Sequence, residues 1–132
     1  MRTKCISREL TEEQRLLFKV PALFRTKHQI LIGQEYLVLG ISFAVSSSVY
    51  GTTALLQIVN DAGYCLFIPA ALFEIVDSRC SSFWEARFHE DGAVTMWPSE
   101  FYEPYFHDDL SNGDPEARKI FESVLTKMKS EF

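Results

Sequence analysis

The sequence lacks the features that mark several large classes of protein. It has no apolar run of about 18 residues, the length that a membrane-spanning helix needs. Its three cysteines, Cys5, Cys65 and Cys80, are odd in number and lack the spacing of a disulfide framework. Basic residues near Met1 are followed by no apolar stretch, so we expect no secretory signal. The sequence therefore predicts a cytoplasmic protein with free thiols and no membrane partner.

Motifs for catalysis and for metal or phosphate binding are missing as well. The histidines His28, His89 and His107 fall in different predicted elements, with no pair on one helix face and no C-x₂-C motif beside them. No glycine-rich loop has the spacing of a phosphate-binding loop. We expect no catalytic residue, no metal and no cofactor, and hence no enzyme. A small enzyme that uses Cys65, Cys80 or His89 is kept as an alternative.

Basic residues are scarce in one region of the chain. Residues 85–116 contain nine acids and one base, whereas residues 1–35 contain seven bases and four acids. The formal charge of the whole chain is −5, so the negative charge is concentrated in that region. Such a field repels nucleic acid and attracts basic surfaces. The charge distribution predicts a basic protein partner and no nucleic-acid partner.

Short strands dominate the middle of the sequence. Six runs between residues 35 and 98 are rich in β-branched and aromatic residues, and turn signals such as "NDAG" and "EDG" separate most of them. Their close spacing leaves no room for long crossover helices, so neighbouring strands should be antiparallel. The pattern predicts an α+β fold with a curved antiparallel sheet or an SH3-like barrel of five to six short strands.

Helices are predicted on both sides of these strands. Thr11 and Gln14 have the spacing of a capping box, and Pro21 limits the helix that follows to about two turns. Asp114 and Pro115 begin an amphipathic helix whose apolar residues recur at helical spacing. A chain of 132 residues is long enough for one domain. We predict a single domain over 1–132, with an N-terminal helix and arm over 1–34, strands over 35–98 and a helical segment over 99–132.

Aromatic side chains alternate with carboxylates over residues 96–117, "MWPSEFYEPYFHDDLSNGDPEA". Part of the rings should pack on the sheet, because Phe101 and Tyr105 have the spacing of a helix face. The acids exceed what solubility requires, and tyrosine beside acids suits contact with a cationic partner. We predict a partner-binding surface in which acids engage cations, one tyrosine supplies buried area and one histidine donates a hydrogen bond: Glu90, Asp91, Glu100, Tyr102, Glu103, His107, Asp108 and Asp109.

Two stretches of the sequence are similar to a recurrent arrangement in small bacterial proteins. These stretches are "YCLFIPAALFEIVDSRCSSFWEARF" and "EPYFHDDLSNGDPEARKIF". They contain a strand, the Pro69-Ala70 turn, a tryptophan-bearing strand and the "DPEA" helix start. With these elements, the region from Tyr36 to Phe121 resembles immunity proteins of toxin–immunity loci, including contact-dependent growth inhibition. Because immunity proteins diverge widely, the resemblance assigns no functional residue.

The resemblance implies stoichiometric inhibition of a cognate toxin domain. Many such toxins are nucleases with basic clefts, in which an acidic inhibitor occupies the place of a phosphate chain. In the free state we expect a monomer or a weak dimer. A non-catalytic adaptor, whose SH3-like sheet binds a peptide, is the alternative from a different class of protein.

Overall fold

The structure is a computed structural model that describes residues 1–43 and 49–132. The described residues form eight strands, three α-helices and two short 3-10 helices. The strands are β1 (Arg2–Cys5), β2 (Glu35–Leu37), β3 (Gly40–Phe43), β4 (Leu55–Val59), β5 (Cys65–Pro69), β6 (Phe73–Asp77), β7 (Trp84–Phe88) and β8 (Val94–Pro98). The helices are α1 (Glu12–Leu17), α2 (Phe106–Ser111) and α3 (Pro115–Glu131), and the 3-10 helices are Ala70–Leu72 and Ser99–Tyr102.

The strands are arranged in two antiparallel sheets. A five-stranded sheet has the order β5-β4-β3-β8-β7, and a three-stranded sheet has the order β2-β1-β6. The predicted α+β fold, with antiparallel strands and a C-terminal helix, is confirmed. The strands that the structure describes do not close into a barrel, so of the two predicted forms the open sheet is the one observed.

The strands depart from the sequence prediction in two places. The first predicted run divides into β2 and β3 because the chain leaves the small sheet after Leu37 and joins the large one at Gly40. Strand β1 lies in the segment that we expected to be only a helix and an arm. Thr3 and Cys5 are buried in it, whereas Lys4 points outward to an ion pair with Glu74 at 3.2 Å. Four residues with two charges are too short and too polar to be recognised as a central strand from their pattern.

The five-stranded sheet lies between two apolar clusters. On one face, Ile58 and Ile68 pack with Tyr36 and Phe73 of the small sheet. The second cluster joins Leu39 with the aromatic and aliphatic side chains of the 3-10 helix Ser99–Tyr102, α2 and α3. The molecule therefore consists of a small sheet, a large sheet and a helical layer, and this layer carries the acidic part of the sequence.

Helices α1 and α3 begin at the residues that their capping motifs predict. Thr11 and Gln14 form the predicted capping box, in which each side chain binds the backbone N–H of the other residue. The Asp114 carboxylate accepts a hydrogen bond from the Ala117 N–H at 2.9 Å, and Pro115 takes the first helical position. Among the described residues, no helix has the length and apolar character needed to cross a membrane.

Candidate partner-binding surface

Two buried phenylalanines position the acidic segment. After β8 the chain forms the 3-10 helix Ser99–Tyr102, passes Pro104 and enters α2 at Phe106. The rings of Phe101 and Phe106 stack with centroids 5.0 Å apart, and the Phe101 ring lies 6.0 Å from that of Phe121 in α3. Because both rings point into the helical layer, the acids between and after them face outward.

An open cavity of about 560 Å³ lies between the 3-10 helix, α2 and the start of α3. No lysine, arginine or histidine of the described residues lines it. Apolar groups such as Pro104 and Ile120 form part of its wall. Its acidic lining consists of Glu100, Glu103, Asp109, Asp114 and Glu116. A concave, acidic and partly apolar wall suits a cationic side chain with a long aliphatic stem.

Three acids of this region have no cationic partner within the described part of the chain. Glu103, Asp108 and Asp109 are exposed and make no ion pair within 4.0 Å with the described residues. Carboxylates this close in sequence repel one another, so a cation placed among them is stabilised. We refer to Glu103, Asp108 and Asp109 as the acidic surface.

Two other acids that line the cavity already have partners. Glu100 forms an ion pair with Lys127 of α3. Burial by itself raises the pKa of Glu100, but the hydrogen bond and charge of Lys127, with hydrogen bonds from the Glu100 backbone and Ser99, outweigh burial and lower the pKa. The Asp114 carboxylate is used as the cap of α3. Glu100 therefore fixes the 3-10 helix to α3, and its charge is balanced within the chain.

Tyr102, predicted as a partner contact, makes its contacts within the chain. Its ring stacks on that of Trp97, with centroids 5.1 Å apart. The guanidinium of Arg87, on the β7–β8 hairpin, lies 3.9 Å from the centroid of the Tyr102 ring. Its hydroxyl donates to the Glu85 carbonyl at 2.8 Å and lies 2.8 Å from the Thr95 hydroxyl. The residue thus connects the 3-10 helix to the hairpin.

His107, also predicted as a contact, is largely enclosed by aromatic rings. The ring centroids of Trp97 and Phe67 lie 4.8 and 5.3 Å from its own. Burial lowers the pKa of His107 to about 4, so the imidazole is neutral at pH 7. Its Nε2 lies 2.9 Å from the side-chain amide nitrogen of Gln57, so the imidazole is hydrogen-bonded to the Gln57 amide.

Cys65 belongs to the same buried network. The Gln57 amide nitrogen also donates to the Cys65 Sγ at 3.1 Å, so one amide joins the thiol to the imidazole of His107. Burial raises the pKa of the Cys65 thiol to about 11. Thiol and imidazole are therefore both neutral at pH 7, unlike the thiolate and imidazolium of an activated cysteine.

The other two residues of the enzyme alternative lie apart from this network. Cys80 is exposed in the loop before β7. His89 lies on the hairpin, where its Nε2 is 2.9 Å from the Thr95 hydroxyl. The described histidines, cysteines and acids form no group of three that could hold a metal ion.

The tip of the β7–β8 hairpin adjoins the acidic surface. Glu90 and Asp91 are exposed at this tip, and the Asp91 carboxylate accepts a hydrogen bond from the Ala93 N–H at 3.0 Å. The preceding residue, His89, lines a shallow hollow of about 350 Å³ together with Glu103 and Asp108. Five of the eight predicted contacts are exposed, and of these Asp91 also binds the backbone of the hairpin turn. Glu100, Tyr102 and His107 are only partly exposed and make side-chain contacts within the chain.

Tyr105 is an exposed aromatic residue of this segment and is not among the predicted contacts. Its side chain is 76% exposed, and its backbone has φ of +62°, which is uncommon for a residue with a side chain. It directly follows Pro104 and precedes the first residue of α2. Helical spacing with Phe101 predicted that it packs inward, but Pro104 interrupts the helix and the spacing no longer applies. Tyr105 thus lies beside the acidic surface as an accessible ring.

Comparison of the chain with protein-family models, curated proteins and solved structures finds no match. The interactions that this region can make are therefore inferred from its own side chains. Exposed carboxylates beside a concave wall and a free tyrosine ring are suited to bind lysine or arginine side chains of another protein.

Proposed function

We propose that this protein is a cytoplasmic immunity protein that binds and neutralises a cognate bacterial toxin domain. The observation that carries the proposal is the acidic surface, in which Glu103, Asp108 and Asp109 are exposed and have no ion pair within the described chain. Repulsion among these carboxylates is relieved when basic side chains approach them. A partner with a basic cleft meets this requirement, and nuclease toxins of the resembled systems have such clefts.

The mechanism is exclusion of substrate by a bound inhibitor. The acidic surface accelerates association with a basic partner, because opposite charges steer the two proteins together. The cavity lined by Glu103 and Asp109 receives a basic side chain, and the Tyr105 ring covers an adjacent apolar area. The bound protein then occupies the place of the negatively charged substrate.

The test is the inhibition of the toxin domain encoded beside this protein's gene. The variant Glu103→Gln/Asp108→Asn/Asp109→Asn removes three charges and keeps the shape of each side chain. We expect it to inhibit at least about tenfold less tightly than the wild type, because each lost contact weakens a charged interface. Isothermal titration and a growth-protection assay measure this loss.

A matched control separates local charge from total charge. Glu9→Gln/Glu13→Gln/Glu74→Gln changes the formal charge by the same amount, at exposed positions outside the helical layer. We expect this control to inhibit as tightly as the wild type. Equal inhibition by the wild type and the acidic-surface variant, with both folded by circular dichroism, rules out the proposed interface.

A further inference from the structure

Strand β7 is an uncovered edge of the five-stranded sheet. It pairs with β8 on one side and with no described strand on the other. Its residues from Glu85 to Phe88 are exposed, and the Phe88 side chain is 84% exposed. Proteins commonly shield such an edge, because its free backbone groups can pair with another strand.

The hydrogen-bond pattern shows which backbone groups of β7 are available. The His89 N–H donates to the Ala93 carbonyl at 2.9 Å, and this pair continues the β7–β8 register. Hydrogen bonds alternate along an antiparallel ladder, so Glu85 and Arg87 direct their backbone groups towards β8. Ala86 and Phe88 therefore direct theirs outward, to the uncovered side.

The sequence of β7, "WEARF", is complementary to itself when read in the opposite direction. A two-fold axis at Ala86 places Glu85 opposite Arg87 of the second copy, and symmetry forms this ion pair twice. The same axis places the exposed Phe88 opposite Trp84 on the other face, where the Trp84 ring packs against both apolar clusters of its own chain. Cross-strand pairs of opposite charge stabilise antiparallel sheets.

Neighbouring symmetric registers are disfavoured by charge. A two-fold axis at Glu85 or at Arg87 would place like charges directly opposite one another. In the single chain, Glu85 and Arg87 reach each other only at 3.8 Å along one strand, with about half of each side chain exposed. Both charges are thus accessible for closer pairing across a dimer axis.

We propose that two copies of the protein associate through β7, in antiparallel register about Ala86, to form one continuous sheet. The partner is a second copy because the exposed charges of this strand, Glu85 and Arg87, complement themselves about Ala86. The inference rests on the exposed edge of β7 and is tested by self-association alone, so it does not depend on the proposed function, although Arg87 lines the same hollow as Glu103 and Asp108.

The test is sedimentation equilibrium of the wild type and of charge-swapped variants, at about 0.15 M salt to screen the net charge. Glu85→Arg keeps the contact of Arg87 with Tyr102 but opposes arginines at both pairs. We expect it to weaken the dimer at least about tenfold. The double variant Glu85→Arg/Arg87→Glu restores opposite charges, and we expect it to recover dimerisation.

Recovery in the double variant distinguishes strand pairing from a general effect of charge. A Glu74→Arg variant serves as the control, because it makes the same change on an exposed strand of the small sheet. A wild-type protein that is monomeric up to about 1 mM overturns the proposal. So does a Glu85→Arg variant that dimerises as tightly as the wild type.

Discussion

His107 is kept neutral by the rings that surround it, and this has a consequence for stability. Its pKa is about 4 in the folded protein, against an ordinary value of 6.5. Between these two values the unfolded chain binds more protons than the folded one, so stability falls as the pH is lowered from 6.5 towards 4. At pH 5 we expect a loss of up to about 2 kcal/mol relative to pH 7.

Urea unfolding at pH 7 and pH 5 measures this loss. In this interval the carboxylates with lowered pKa, such as Asp77 and Glu100, stay ionised, so histidine titration dominates. His107→Gln removes the titrating group, and we expect a much smaller difference between the two pH values. A small difference persists, because burial also lowers the pKa of His28. An unchanged difference in the variant contradicts this assignment.

At the scale of single residues, the sequence predicts roles that depend on near neighbours. Thr11 and Asp114 cap their helices as predicted, because each cap involves only the following turn. The environments of Tyr102 and His107 depend on distant residues. Gln57, which binds His107, lies fifty positions away in β4, and no local pattern connects the two.

Helix α1 is held to the rest of the protein by a close backbone contact. The Thr52 N–H donates to the Phe18 carbonyl at 2.8 Å, just after the helix. Gly51 has φ of +67°, and a Cβ on it would lie 1.8 Å from that carbonyl oxygen. Only glycine fits at this point without moving one backbone segment away from the other.

We expect Gly51→Ala to destabilise the protein by at least about 2 kcal/mol, because it combines backbone strain with a backbone collision. Gly92→Ala is the matched control. Gly92 also has positive φ, but a Cβ there meets no atom within 4 Å, so strain alone costs roughly 1 kcal/mol. Thermal unfolding and limited proteolysis of residues 6–34 measure both effects. Equal losses in the two variants contradict the close contact.

At the scale of elements, strands with a regular apolar pattern and clear turns are predictable. The hairpin of β7 and β8 is one of them, with its turn at Asp91-Gly92 as the sequence indicates. The division of the first run into β2 and β3 is not predictable, because it depends on which sheet each half joins. Which sheet a strand joins depends on contacts with distant parts of the core. The alternation of apolar and polar residues within one run does not specify it.

At the scale of the whole molecule, charge is separated between layers. The acidic surface lies in the helical layer. Strand β1 and the arm after it contain most of the basic residues found in region 1–35, and they pack on the other side of the large sheet. The regional excess of acids was predictable from the sequence. Which acids form ion pairs was not predictable, because Lys127 lies in α3, 27 positions after its partner Glu100.

The affinity of the adjacent-gene toxin domain, measured as a function of salt, tests the central proposal most directly. Between about 0.05 M and 0.5 M salt, we expect the Kd of the wild type to rise at least about tenfold, because salt screens charges that attract across the interface. The acidic-surface variant should show a weaker dependence and the Glu9/Glu13/Glu74 control an unchanged one. A wild-type Kd that does not vary with salt contradicts the proposal that the acidic surface binds the toxin.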